Sequence, residues 1–330
     1  MREIQSGTGG GSSLDHGAGQ EIVLQHTLKH AIRCCGIGMH SGRKVAMTLR
    51  PAAVDSGIVF HRSDLGGDAT LAASWDCAVE TPLCTNLQND KGVTVATVEH
   101  LMSALYGCGI DNAVIEIDGP EVPAMDGSAA PFVFLLECAG TVSQDAPRRA
   151  LKILRRIAVR DAEQQASLSP GHGLTIHFEI DFESPAIGHQ DWFVAMEAGA
   201  YKREVAPART FGFLSEAEAL RARGLTLGGS LENAVIIDGD QVVNEGGLRF
   251  HNEFVRHKVL DMIGDLYLAG GPVLGHASSL RGGHTLTVRL LRQLFAELDA
   301  WTWTTATEAE LSGVPPLAEP SMPPVAAARA

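Results

Sequence analysis

His257 and Asp261 stand four residues apart in Phe254-Val255-Arg256-His257-Lys258-Val259-Leu260-Asp261-Met262-Ile263-Gly264-Asp265, a stretch with the apolar period of a helix. Side chains at that spacing stack on one helical face. An imidazole and a carboxylate on such a rigid support can chelate zinc, and a third ligand from elsewhere leaves the fourth position open for water, as hydrolysis requires. An exposed His/Asp pair has the same spacing. Asp265 lengthens the stripe by a turn, however, and an Asp/His/Asp row on an otherwise apolar helix is costly to bury unless something pairs with it. A metal and a second histidine would satisfy all three.

Thr97-Val98-Glu99-His100-Leu101 offers that histidine, with a carboxylate directly before it at the start of another amphipathic segment. Adjacent residues diverge by about a quarter turn in a helix, so His100 could reach a metal while Glu99 faces the water as a general base. A Glu that only favours a helix N-terminus electrostatically would look the same. In Arg281-Gly282-Gly283-His284 two glycines allow close backbone approach and present His284 from a loop or strand end, as a candidate general acid or as a plain surface histidine after a turn. Arg209, Arg256, Lys258 and Arg281 form a basic set that suits a diphosphate, although a solvated helix face would also account for Arg256 and Lys258.

The elements that must position these groups are readable from periodicity. Thr97 to Tyr106 and Phe254 to Leu268 carry apolar helical faces. Leu174 to Phe182 alternates apolar with polar residues, as do Val45, Met47 and Leu49, the pattern of half-buried strands; Ala113 to Ile117 is another short strand. Ser128 can cap a further helix, with Pro131 in its first turn and Gly140 beyond its end. Ser215 and Glu218 have capping-box spacing for a fourth. The outline is α+β in two similar layers. The polar segment Ser143 to Arg149 separates them, dividing a first domain (21–147, with Glu99 and His100) from a second (148–300, with His257 and Asp261). Residues 1–20 and the Pro/Ala-rich stretch within 301–330 read as tails.

Composition agrees with a globular chain of two domains: 330 residues, 45% hydrophobic and 20% charged. The formal charge of −13 argues against nucleic acid or an anionic membrane as partner. None of the six cysteines forms a Cys-x-x-Cys pair, which indicates neither a disulfide framework nor a cysteine zinc site. No run approaches the ~18 apolar residues of a membrane span, and the Gly/Ser-rich start lacks a signal peptide's apolar core. A cytoplasmic location is therefore expected, and nothing demands more than a monomer.

These segments together resemble the UDP-3-O-acyl-N-acetylglucosamine deacetylases, zinc amidases of lipid A biosynthesis. The resemblance spans about Gln25 to Glu297 and rests on Gly36-Ile37-Gly38-Met39-His40-Ser41-Gly42, Leu83-Cys84-Thr85, Thr97 to Leu101, Pro123-Ala124-Met125-Asp126-Gly127-Ser128-Ala129, Ala208-Arg209-Thr210-Phe211-Gly212-Phe213, Phe254 to Asp265 and Gly283-His284, all in order. It implies two α+β domains, each a sheet layered against paired helices in a β-α-α-β sandwich, with the site between them. It implies one zinc ion per chain on His100, His257 and Asp261, with Glu99 as base, His284 as acid or electrostatic partner, and Asp265 orienting His284. Thr210 would bond the oxyanion. Lys258, Phe211, Cys84, Met39 and His40 would contact the UDP-linked acylated amino sugar, and Phe211 to Ile236 would form an apolar passage for the acyl chain. A satellite core under a loop would give that insert the same composition, and Cys84 could be a plain buried residue. Met39 and Met102 stand where leucine is common in the family and Thr287 where an asparagine often lies, and Pro82 adjoins Leu83; Met39 and Pro82 could alter the acyl-chain fit, which leaves acyl-length preference open.

Two other classes compete. A noncatalytic metal protein would normally close its site with four protein ligands, and it would leave Glu99 and His284 without purpose. A nucleotide kinase is hinted at by Gly36 to Gly42, but that segment lacks both the dinucleotide fingerprint and the P-loop ending.

Overall fold

The computed structural model describes residues 21–81 and 83–312. The expected tails at 1–20 and 313–330, and Pro82, lie outside the described residues. The helices that matter for the site are α1 (Glu99–Gly107), α2 (Ala130–Ala139), α3 (Leu214–Ala222), α4 (Glu253–Tyr267) and α5 (His284–Ala296).

The strands behave as their periodicity requires. Lys44–Pro51 buries Val45, Met47 and Leu49 and turns the residues between them outward. It is the second member of a five-stranded sheet ordered 32–37, 44–51, 113–117, 58–62, 70–72. Leu174–Asp181 buries Leu174, Ile176, Phe178 and Ile180 in the same way. It runs parallel to Val273–Leu280 in a seven-stranded sheet that also holds 149–153, 157–161, 164–169, 189–195 and 301–305. The mix of sheets and few helices is an α+β arrangement.

α4 and α5 lie on the strands of the second sheet, α2 touches the 32–37 strand of the first, and α1 packs on both α2 and α4. One continuous core results, joining Met47, Phe60 and Ile115 to Leu101 and Leu105 of α1, Phe254, Val259 and Ile263 of α4, and Ile176. Each such side chain contributes about 1.5–3 kcal/mol on burial, so the α1–α4 contact is held by the core.

Three expectations need correction. Residues 301–312 are not a tail: Trp301–Thr305 pairs antiparallel with Arg149–Ile153, Ala306 is fully buried, and Glu308–Leu311 is a short helix capped by Thr307. Alternating Trp and Thr, a β pattern, outweighs the prolines that follow. The Ser215/Glu218 box caps nothing, because α3 already begins at Leu214 as a continuation of the Phe211–Phe213 strand. His284 is presented not from a loop or strand end but by the first residue of α5, with Gly283 as its cap. The cap expected at Ser128 falls one residue later, at Ala129, although Ser128 Oγ still accepts from the Ala130 N–H (3.2 Å).

The insert is a small unit of its own. Phe211–Phe213 runs parallel to Val235–Asp238 with α3 as the crossover. It docks on the loop after the 32–37 strand, where Leu227 N–H donates to His40 O (3.1 Å) and Gly228 N–H to Met39 O (3.0 Å). Gly228 is required there, since a Cβ would collide with the Gly38 carbonyl.

Candidate metal centre and active site

The α1–α4 contact places His100 opposite His257 and Asp261. Their ligand atoms lie within 4.8 Å of one another, and all three residues are buried. Nε2 of His100 and Nε2 of His257 stand 3.4 Å and 3.3 Å from the same oxygen, Asp261 Oδ1. The imidazole planes are nearly perpendicular, at 84°, with centroids 4.9 Å apart. That carboxylate oxygen has no hydrogen-bond partner although it is buried. A buried carboxylate oxygen left without a partner is expensive. A divalent cation between the three donors removes the cost, and two imidazoles with one carboxylate are donors that suit zinc.

The surroundings prepare the donors. His257 Nδ1 faces the Ala208 carbonyl at 3.1 Å, which can only accept, so the ring proton sits on Nδ1 and the Nε2 lone pair is free. Burial pushes the His257 pKa down to about 3 against the pull of Asp261, so the ring is neutral near pH 7. Burial alone would raise Asp261, but the positive charges of Lys258 and His284 outweigh it and hold this carboxyl well below the usual range. Lys258 Nζ donates to Asp261 Oδ2 at 2.8 Å.

Glu99 begins α1 and is 3% exposed, which raises its pKa chiefly through desolvation. Its Oε2 accepts from Thr85 N–H (3.0 Å), leaving Oε1 facing His284 Nε2 at 3.9 Å. A buried carboxylate with one anchored and one available oxygen has the form of a general base. His284 Nδ1 is bonded to Asp265 Oδ2 (2.9 Å) and to Thr85 Oγ1 (3.0 Å). Burial opposes its charge, but Asp265, Glu99 and Asp261 prevail and lift the His284 pKa to about 9. Protonated, with its free nitrogen beside Glu99, it has the form of a general acid.

This cluster forms the floor of a cavity of about 1160 Å³ that also reaches Met39, His40, Thr210, Phe211, Lys258 and Arg281. Thr210 is held by its backbone, donating to Gly127 O (2.8 Å) and accepting from Val235 N–H (2.7 Å). Phe211 packs edge-on against Phe254, with centroids 4.9 Å apart, and Lys258 Nζ lies 5.8 Å above its ring. Phe182, Phe213, Ala217, Leu220, Leu231 and Ile236 contribute an apolar part of its wall. Cys84 is buried, its Sγ bonded to Asn86 Oδ1 (3.2 Å); its neighbour Leu83, not Cys84, faces the cavity.

The basic set is only partly a site. Arg209 is locked onto Glu253, and Arg256 onto Glu204 (2.6 Å) and Asn252 while stacked on Trp192; neither lines the cavity. Arg281 and Lys258 do, the first paired with Glu163 and Asp181. The carboxylates that neutralise these arginines are too distant in sequence for spacing to reveal them.

Two contributors escaped the motif reading. Thr85 was only part of a segment, yet it touches Glu99, Asp265 and His284. Glu121, 1% exposed, accepts from His40 N–H and Ser41 N–H (both 2.8 Å) and from Thr97 Oγ (3.0 Å), pinning the 38–42 loop to the cavity wall. A lone acidic residue before Val122-Pro123 carries no pattern that marks such a role.

Comparison with known proteins agrees with this geometry. The model of the LpxC family, UDP-3-O-acyl N-acetylglycosamine deacetylase, matches residues 25–296. The chain is 52% identical over 289 residues to the UDP-3-O-acyl-N-acetylglucosamine deacetylase of Acidithiobacillus ferrooxidans, covering 87% of this chain and 95% of that one. It is 45% identical over 303 residues to the enzyme of that name from Vibrio parahaemolyticus (91% and 99% covered) and 46% over 296 residues to that of Shewanella violacea (88% and 97%). A match over most of the chain, at that identity and around this cluster, makes the protein a member of the UDP-3-O-acyl N-acetylglycosamine deacetylase family.

Proposed function

We propose that this chain hydrolyses the N-acetyl amide of UDP-3-O-acyl-N-acetylglucosamine to the free amine and acetate, an early committed step of lipid A biosynthesis, using one zinc ion on His100, His257 and Asp261. The reading includes two similar domains in a β-α-α-β sandwich and a cytoplasmic monomer. Among the described residues no helix is long and apolar enough to cross a membrane. The observation that carries the reading is the convergence of two imidazole nitrogens on the unpartnered Asp261 Oδ1, beside Glu99 and His284.

Zinc bound there supplies Lewis acidity, polarising the amide carbonyl and acidifying water. Glu99 takes the water proton at Oε1 while Oε2 stays on Thr85 N–H. As the carbon–oxygen bond forms, the Thr210 hydroxyl donates to the developing oxyanion, the kind of preorganised contact that often supplies the largest catalytic term. His284 Nε2 gives its proton to the departing nitrogen as the carbon–nitrogen bond breaks, so a neutral amine leaves together with acetic acid, which ionises to acetate on release. Asp265 keeps the other ring nitrogen protonated and oriented. Lys258 would meet the nucleotide end, Phe211, Met39 and His40 the sugar and its chain, and the apolar part of the cavity wall the acyl group.

Metal analysis paired with an amine-release assay tests this. His257→Ala is expected to lose both zinc and turnover. Glu99→Ala is expected to keep zinc and lose about 10²- to 10⁴-fold in rate. A Glu99→Ala protein that retained most of its rate would remove Glu99 as the base.

A further inference from the structure

We infer that Thr85 is a positioning residue that clamps the general base and the general acid to each other, and that its hydroxyl is needed for turnover. The inference rests on the deacetylase reading above.

Thr85 is fully buried between α1, α4 and the start of α5. Its backbone N–H holds Glu99 Oε2 at 3.0 Å. Its Oγ bonds Asp265 Oδ1 and lies 3.0 Å from His284 Nδ1, which itself meets Asp265 Oδ2 at 2.9 Å. The hydroxyl has one hydrogen. Asp265 can only accept, so that hydrogen goes to Oδ1, and Thr85 Oγ in turn accepts from the Nδ1 proton of His284. The three groups close a ring of three contacts on two hydrogens: the hydroxyl hydrogen of Thr85 points to Asp265 Oδ1, and the Nδ1 proton of His284 is shared between Asp265 Oδ2 and Thr85 Oγ. His284 therefore carries a proton on Nδ1 whenever the ring is intact, and Nε2 is the nitrogen that exchanges with substrate.

One residue thus sets both catalytic groups from opposite ends, the base through its main chain and the acid through its side chain. Without the hydroxyl, Asp265 Oδ1 loses its buried donor and is free to rotate, taking His284 with it. Glu99 stays anchored, because the main-chain contact survives any side-chain replacement. Outer partners of this kind typically matter about 10- to 100-fold.

Thr85→Val keeps the shape and deletes the hydroxyl; Thr85→Ser keeps the hydroxyl and deletes a methyl. In the zinc-loaded enzyme, kcat of Thr85→Val should fall about 10- to 100-fold with KM and zinc content unchanged, and Thr85→Ser should recover most of the loss. A parental kcat for Thr85→Val, a loss carried by KM, or a Thr85→Ser as slow as Thr85→Val would each overturn the inference, the last by assigning the effect to packing. If the valine variant does not fold, Thr85→Ala is measured against Thr85→Ser by the same criteria. If the parent enzyme releases no acetate, the deacetylase reading fails first; if the parent turns over and Thr85→Val does too, only this inference fails.

Discussion

Gly264 of α4 lies directly against the main chain of Glu99 in α1, so closely that a methyl group on Gly264 would overlap the Glu99 carbonyl oxygen. This is the point at which two helices from distant parts of the chain come together. It brings the residue after Glu99, His100, onto the same side as His257 and Asp261, which lie two turns and one turn before Gly264 along α4. The proposed base, Glu99, and the three proposed ligands, His100, His257 and Asp261, are thus registered by the absence of one side chain.

Gly264→Ala is accordingly expected to force α1 away from α4. Overpacking of this kind costs about 1–3 kcal/mol. Thermal unfolding should show the loss, and metal titration should show weaker binding although every ligand is present. A variant with parental metal affinity would mean that the site does not depend on this crossing.

Chelation should destabilise the protein as well as inactivate it, because it leaves Asp261 Oδ1 buried without a partner. An ion that binds only the folded state adds about 2.7 kcal/mol at a hundredfold excess over its Kd. The melting temperature should drop on chelation and recover with zinc. Asp261→Asn should remove that zinc response, which differential scanning calorimetry would record.

The pH dependence of kcat/KM should be bell-shaped. On the acid side activity rises as Glu99 loses its proton, and burial places that limb above the ordinary carboxylate range. On the alkaline side activity falls as His284 loses its proton, near pH 9 for the metal-free cluster and lower with a divalent cation beside it. Asp265→Asn removes a negative charge that favours the imidazolium. Its alkaline limb should therefore move to lower pH, and an unmoved limb would detach Asp265 from His284.

Ala217 and Leu220 are the half-buried residues of α3 and belong to the apolar part of the cavity wall, while the rest of that helix is exposed. Ala217→Phe should shorten the space for an acyl chain. One methylene in an apolar pocket is worth about 10- to 200-fold in selectivity, so kcat/KM for long-chain substrates should fall by at least the lower figure relative to short-chain ones. Equal losses for all chain lengths would place the acyl group elsewhere.

Periodicity made much of the machinery legible. The 3.6-residue repeat put His257, Asp261 and Asp265 on one stripe of α4, and the alternation at 174–181 and 44–51 located strands of both sheets, because burial on one face leaves a periodic imprint in the chain itself. The ordered run of motifs pointed to the family before any geometry was known. The Ser215/Glu218 box was a local signal that tertiary packing left unused, whereas at 301–305 the β pattern of alternating Trp and Thr was present and was masked by the prolines that follow.

What only the folded chain decided were the pairings between residues far apart. Thr85 joins Asp265 and His284 across 180 and 199 residues, and Arg281 is neutralised by Glu163 and Asp181 across 118 and 100. Such contacts depend on how helices and sheets stack, and stacking leaves no fixed spacing in the sequence. Residue types and their local order determined which chemistry was possible; the close approach of α1 to α4 determined that the groups meet.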